Sequence, residues 1–169
     1  MKTHAYAVHG DVLLSALAVE PPSDREWDDY LAAWARMRGG ERRKVLVFTE
    51  KAGPTAEQRG QLAALLGGAA QRAAVVTPSA VGRLMVAAVA WANPAVRAFL
   101  PAQVGEAFDY LDVPHADRAE LLAAARPLVA AVGAEVEVGR LVSPAGGEGG
   151  ALTLSGPWPP PPRREPSRT

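Results

Sequence analysis

The chain has 169 residues, of which 49% are hydrophobic and 21% are charged, a balance typical of one globular domain with a hydrophobic core. Eighteen basic residues cancel eighteen acidic ones, which argues against a nucleic-acid partner, and no apolar run approaches the roughly 20 residues that span a bilayer. Because the sequence has no cysteine and does not begin like a signal peptide, we expect a cytoplasmic protein without membrane insertion.

The N-terminal part predicts a β-hairpin followed by a helix. Ala5–His9 and Val12–Val19 are apolar segments separated by a short turn. Ser23 and Glu26 have the spacing of a capping box, in which each side chain bonds a free backbone amide at the start of a helix. The apolar stripe of that helix then consists of Trp27, Tyr30, Leu31 and Trp34.

Two further strand–helix units follow. Lys44–Phe48 and Ala73–Val76 are short apolar runs, typical of strands that are buried on both faces. Thr55 and Ser79 are the predicted N-caps of the next two helices, and Gln58 completes a capping box with Thr55. The first helix is expected to bury Leu62, Leu65 and Leu66, and the second carries one apolar stripe made of Val81, Leu84, Met85, Ala88 and Trp91.

The C-terminal part predicts a last strand, two helices and a tail. Val96–Leu100 reads as a short strand, Pro101 as the first residue of a helix, and His115–Val132 as the final helix. Glu135–Val138 alternates like an edge strand, but the chain then becomes rich in Gly and Pro. We therefore predict one domain over residues 1–133 and a flexible, disordered tail over 134–169.

The order of these elements predicts the fold class. Strands alternate with helices after the opening hairpin, which is typical of an α/β fold with right-handed connections. We expect a mixed sheet of four or five strands, helices packed against it, and an added C-terminal helix.

Short motifs in the second half of the chain match a known family. Ser79–Leu84 follows a strand ending in Val75-Val76 and is similar to the stretch that opens the third helix of SpoIIAA-type anti-sigma factor antagonists. Glu106–Leu111 is similar to a later helix of that family. The chain thus resembles a STAS domain of the SpoIIAA-like (STAS/SEC14-like) family, whose element order also matches residues 6–111.

The loop that carries the function of this family departs from its pattern. SpoIIAA-type domains present a phosphorylatable serine there in a D-S-[ST]-G motif, whereas Thr49–Thr55 has no serine and places Glu50 and Lys51 at that point. The resemblance therefore implies a STAS-like fold and a protein-binding role, with the phosphorylation switch in doubt.

No residue pattern indicates catalysis or a metal site. The three histidines, His4, His9 and His115, lack ligand spacing and are interpreted as structural. Ser15 lies in the middle of a strand, and Asp109 with Asp112 forms only a weak acidic pair. We accordingly predict a chain that is not an enzyme and that needs no metal or cofactor.

Two kinds of binding site remain open. Parallel strands end at the same edge of a sheet, so the loop after the third strand should meet the helix that starts at Ser79. The leading hypothesis is a bacterial regulatory or scaffold module that binds a protein partner, or a second copy of itself, through Thr49, Glu50, Lys51, Thr55, Ser79 and Arg83. The alternative is a carrier or sensor of a small apolar ligand, held in a pocket of Trp34, Trp91, Phe99 and Phe108.

Overall fold

The computed structural model describes residues 2–37, 43–51, 53–90 and 93–139. Within these ranges the chain forms five strands: β1 (His4–His9), β2 (Val12–Leu17), β3 (Lys44–Thr49), β4 (Arg72–Val76) and β5 (Val96–Phe99). It also forms five α-helices: α1 (Asp24–Arg36), α2 (Ala56–Leu65), α3 (Ala80–Ala90), α4 (Val104–Tyr110) and α5 (His115–Ala131). A 3₁₀ turn, Pro101–Gln103, precedes α4. None of the described helices combines the length and the apolar character needed to cross a membrane.

The strands lie in chain order across a single mixed sheet. β1 pairs antiparallel with β2, and β2, β3, β4 and β5 are parallel neighbours. Gly10 makes the hairpin turn with φ 59°, a conformation that glycine adopts without a steric penalty. Parallel connections are right-handed as a rule, and connections that all run in one direction across the sheet then place α1, α2 and α3 on one face. The side chains of α4 and α5 cover the other face. The predicted α/β class and mixed sheet are confirmed.

The sheet has a hydrophobic cluster on each face because successive strand residues point to opposite sides. Leu13 of β2 packs beneath α1, whose buried side chains include Trp27, Tyr30 and Trp34. Its neighbour Leu14 belongs to the opposite cluster, which α4 and α5 cover with side chains such as Phe108, Leu111, Leu121, Leu122 and Ala125. Each fully buried Leu or Phe side chain of these clusters stabilises the fold by about 1.5–3 kcal/mol.

Both predicted capping boxes are present. At α1, the Ser23 hydroxyl accepts from the backbone N–H of Glu26, and the Glu26 carboxylate accepts from the N–H of Ser23 at 3.2 Å. At α2, Thr55 Oγ1 accepts from the N–H of Gln58 at 3.2 Å, and Gln58 Oε1 accepts from the N–H of Thr55 at 3.0 Å. These bonds satisfy amides that have no partner inside the helix.

The buried stripe of α2 differs from the predicted one. Leu65 is 44% exposed, so its expected burial is wrong, and Leu62 and Leu66 are half-buried. The side chain of Gln58 is buried and donates to the carbonyl oxygen of Pro22 at 2.8 Å. This hydrogen bond turns Gln58 towards the protein interior, so the residues that share its side of the helix, at positions 62 and 66, are the ones that face inward. Position 65 lies on a different side.

The packed domain continues past the predicted boundary at residue 133. Gly133, with φ 63°, ends α5 as expected. Val136 is then 5% exposed within the hydrophobic cluster, and Gly139 is also buried. Residues 134–139 form neither helix nor strand, so the expected edge strand at Glu135–Val138 is not present. The rest of the predicted tail, residues 140–169, lies outside the described residues.

Candidate functional site

The residues predicted to bind a partner follow the carboxyl ends of β3 and β4. Thr49 is the last residue of β3 and is 4% exposed, so it supports the loop from inside and does not reach the surface. Glu50 is half-buried, Lys51 is exposed, and Thr55 is exposed at the start of α2. Ser79 precedes α3 directly. The structure therefore brings the loop after β3 to the same edge of the sheet as the start of α3, as parallel strands require.

A buried hydroxyl joins these two segments. Thr77 follows β4 and is fully buried, and its Oγ1 donates to the carbonyl oxygen of Glu50 at 3.0 Å. Thr77 Oγ1 also accepts from the backbone N–H of Ser79 at 3.3 Å. Sequence analysis did not identify Thr77, although a threonine placed between a buried strand and a helix cap is a usable signal for such a bond.

The first turn of α3 lies directly on this loop. Gly82 is buried, and a β-carbon at its position would stand 2.6 Å from Thr77 Oγ1 and 3.1 Å from the carbonyl oxygen of Glu50. Ser79 caps the helix as predicted, since its Oγ accepts from the N–H of Gly82 at 3.2 Å. A residue without a side chain is therefore required for this close approach.

The apolar stripe of α3 faces away from the sheet. Val81 is 59% exposed, Leu84 72% and Met85 41%, and Ala88 is also exposed. We call Val81, Leu84, Met85 and Ala88 the outer stripe. Trp91, the last residue of the predicted stripe, lies outside the described residues.

The inner side of α3 consists of smaller or half-buried residues. Gly82 is buried, while Val86 and Val89 are half-buried. α3 is thus apolar on both sides, and its single charged residue is Arg83, whose guanidinium donates to the carbonyl oxygen of Pro78 at 3.4 Å. A helix that is apolar all round is normally covered on all sides, so the open outer stripe is a candidate interaction surface.

Two aromatic residues of the alternative pocket lie on opposite faces of the sheet. Trp34 is 1% exposed on the buried side of α1, whereas Phe108 is fully buried in the cluster on the other face, against which Phe99 also packs. Phe99 is half-buried beside Tyr110, with ring centroids 5.9 Å apart. The described part of the chain has an open cleft elsewhere, between α5 and residues 134–138, and its lining includes Arg126, Val129, Val136 and Glu137.

A serine–histidine contact lies buried beneath α1. His4 Nε2 and Ser15 Oγ are 2.8 Å apart, and the two residues are 1% and 2% exposed. The His4 ring packs against Tyr30 at a centroid distance of 4.7 Å and against Trp27 at 6.1 Å. Burial lowers the pKa of His4 to about 4, so the ring is neutral at physiological pH. Since Trp27 and Tyr30 cover the pair, it contributes to the packing of β1 and β2 against α1.

Sequence analysis missed this contact, although the hairpin register contains a signal for it. His4 pairs with Leu17, and Tyr6 pairs with Ser15. Residues two apart on a strand share a face, so His4 and Ser15 are diagonal neighbours on one side of the hairpin.

In the described residues no group of three or more His, Asp or Glu side chains is placed to hold a metal ion. No protein-family model, curated protein or solved structure matches the chain. The candidate site therefore rests on its geometry, and the likeness to STAS domains stays a prediction.

Proposed function

We propose that this domain is a non-catalytic protein-interaction module of a bacterial regulatory or scaffold system, acting in the cytoplasm. Its partner binds to the outer stripe of α3 and to the adjoining loop after β3. The exposure of Val81, Leu84 and Met85 carries this proposal, because three neighbouring apolar side chains on one helix are left open to water.

The surroundings of the outer stripe indicate the chemistry of the partner. Glu50 and Lys51 belong to the loop on which the first turn of α3 lies, and with Arg83 of that helix they provide charges of both signs. The rest of the helix, from Leu84 to Ala90, carries no charge. We expect a partner that offers apolar side chains along α3 and polar or charged groups at one end, the usual arrangement of a hydrophobic centre with a polar rim.

The small size of the stripe indicates a transient partner. A stable interface uses roughly 20–30 residues on each side, far more than the outer stripe and its loop supply. Reversible binding suits a regulatory or scaffold role of the kind that the likeness to anti-sigma factor antagonists implies. A carrier of apolar ligands has less support, because Trp34 and Phe108 lie on opposite faces of the sheet.

The test is native mass spectrometry of the full chain, purified gently from its own host. We expect a protein companion with the wild-type chain and its loss with Leu84→Glu, because a buried charge without a partner opposes association. Ala123→Glu is the matched control, since Ala123 is exposed on α5, on the other side of the sheet, and the same charge there should leave the companion in place.

Two results would contradict the proposal. The first is a companion that persists with Leu84→Glu, which would remove α3 from consideration as the binding surface. The second is a wild-type chain that carries no protein but an added small-molecule mass that disappears on denaturation, which would favour the ligand carrier.

A further inference from the structure

We propose that the chain's own C-terminal segment, residues 151–158, covers the outer stripe of α3 until a partner displaces it. The covering contact is an interaction within one chain. Only the displacement step rests on the proposed function, because it requires that the partner use the same surface.

The outer stripe needs a cover that is small and apolar. Leu84 is 72% exposed and Val81 59%, on a helix whose single charged residue is Arg83. Leu100, which follows β5 at the same edge of the sheet, is a further 40% exposed. A charged group buried against this apolar surface would lose its hydration without gaining a partner, so the surface favours an uncharged occupant.

The described chain ends close to this surface. A β-carbon at Gly139 would collide with the carbonyl oxygen of Pro101 and with the side chain of Val104, so Gly139 is held against the turn that follows β5. β5 is the strand with which α3 makes most of its contacts. The described chain therefore ends at the carboxyl end of β5, the strand beside α3, and α3 begins at that same edge.

The remaining chain is long enough to reach the outer stripe. The residues between Gly139 and Leu152 can span about 40 Å when extended. The path from the end of β5 around the sheet edge to a helix packed on the sheet is on the order of 10–20 Å. Leu84 lies four residues into α3, about 6 Å along the helix axis from Ala80.

The composition of residues 149–162 fits this occupant. This stretch contains no charged residue, and its apolar side chains are concentrated in Leu152, Leu154 and Trp158. Apolar residues on the tail would thus meet the outer stripe of α3, whose four side chains are apolar and uncharged. Arg163 and Arg164 follow only after four prolines, beyond the segment that we assign to the stripe.

The same observations favour the tail over a second copy of the chain. An interface between two molecules must overcome the loss of their independent motion, and stable examples use roughly 20–30 residues a side. A tethered segment avoids most of that cost, because a linker of this kind holds it at an effective concentration near the millimolar range. A few exposed side chains suffice for the tethered contact.

The test uses pairs of introduced cysteines in the full chain, which has no cysteine of its own. One variant carries Leu84→Cys with Leu152→Cys, and the matched control carries Ala123→Cys with Leu152→Cys. Under mild oxidation we expect the intramolecular disulfide of the first pair to form at least tenfold faster than that of the control pair. Circular dichroism of the reduced proteins checks that both variants are folded.

Two outcomes would overturn the proposal. Equal rates for the two pairs would show that residues 151–158 do not prefer α3. Rapid disulfide-linked dimerisation of a third variant, which carries Leu84→Cys alone, would show that a second copy occupies the stripe. Either result leaves the effect of Leu84→Glu on the protein companion as a separate question, so the failure of this inference is distinguishable from that of the proposed function.

Discussion

The hydroxyl of Thr77 donates a hydrogen bond of 3.0 Å to the backbone carbonyl of Glu50, which lies 27 residues earlier in the chain. Thr77 follows β4 and Glu50 follows β3, so the bond joins two neighbouring strand ends. Since Gly82 of α3 rests on both groups, this bond also determines how α3 sits on the sheet and which of its sides faces water.

Replacing Thr77 with valine tests this connection. Valine has nearly the same shape but cannot donate to Glu50 or accept from Ser79, and a buried polar group left unpaired costs about 1–3 kcal/mol. We expect the free energy of unfolding, measured by urea denaturation, to fall by that amount. Thr77→Ser keeps the hydroxyl and should lose clearly less, and equal losses for the two variants would show that the bond contributes nothing.

Gly82 and Gly60 should respond to alanine in opposite directions. Alanine in a helix is normally more stable than glycine by about 0.5–1 kcal/mol, which is the gain expected for Gly60→Ala in α2, where a β-carbon meets open space. At Gly82 the β-carbon would lie 2.6 Å from Thr77 Oγ1, so we expect a loss of about 1–3 kcal/mol. Thermal unfolding of the two variants measures both effects, and a stabilised Gly82→Ala protein would refute the close packing of α3.

Protonation of His4 should weaken the fold in mildly acidic solution. Burial lowers its pKa from 6.5 to about 4, and the nearby Glu26 carboxylate offsets this only in part. Between these two values the unfolded chain binds more protons than the folded one, so stability is complete above about pH 6.5 and falls as the pH decreases towards 4. The expected loss is about 3 kcal/mol.

Urea denaturation at several pH values measures this loss. His4→Gln should remove the dependence of stability on pH between pH 6.5 and 4, and an unchanged dependence would contradict the assignment to His4.

The Glu26 carboxylate affects stability at lower pH. Burial raises its pKa, but hydrogen bonds from Thr3 and Ser23 outweigh that effect and lower it to about 2. Its contribution is therefore lost as the pH falls from about 4.5 to 2.

Arg118 should be the basic residue of α5 that matters most for stability. It is 6% exposed, and its Nε and Nη2 donate to the carbonyl oxygen of Val113 at 3.0 and 2.9 Å. Arg118→Ala leaves that carbonyl without these donors, so we expect a loss of about 2 kcal/mol in urea denaturation. Arg118→Lys should restore little, because an ammonium group lacks the planar fork of donors.

Two neighbours serve as controls for Arg118. Arg126→Ala, at an exposed position of the same helix, should change stability by less than about 0.5 kcal/mol. Asp109→Asn should also have a small effect, because the Asp109 side chain is 66% exposed although its Oδ1 accepts from Arg118 at 2.6 Å. A loss for Arg126→Ala as large as that for Arg118→Ala would show that the buried bonds are not the cause.

The order and type of the elements could be predicted from the sequence because their signals are local. Capping boxes at Ser23 and Thr55 marked two helix starts, and short apolar runs such as Lys44–Phe48 marked the strands. The meeting of the loop after β3 with the start of α3 also followed, since parallel strands end at one edge. Thr77, the contact of His4 with Ser15, and the burial of Val136 were not predicted, because each depends on partners distant in the chain.

Sequence by itself determined that α3 exists, where it begins, and that Val81, Leu84 and Met85 share one of its sides. It could not determine which side of α3 faces the sheet, because Val86 and Val89 make the opposite side apolar as well. Only the tertiary structure decided this rotation. Gly82 alone is small enough to lie against Thr77 and the carbonyl of Glu50, and that steric requirement turns the larger side chains of the outer stripe towards water.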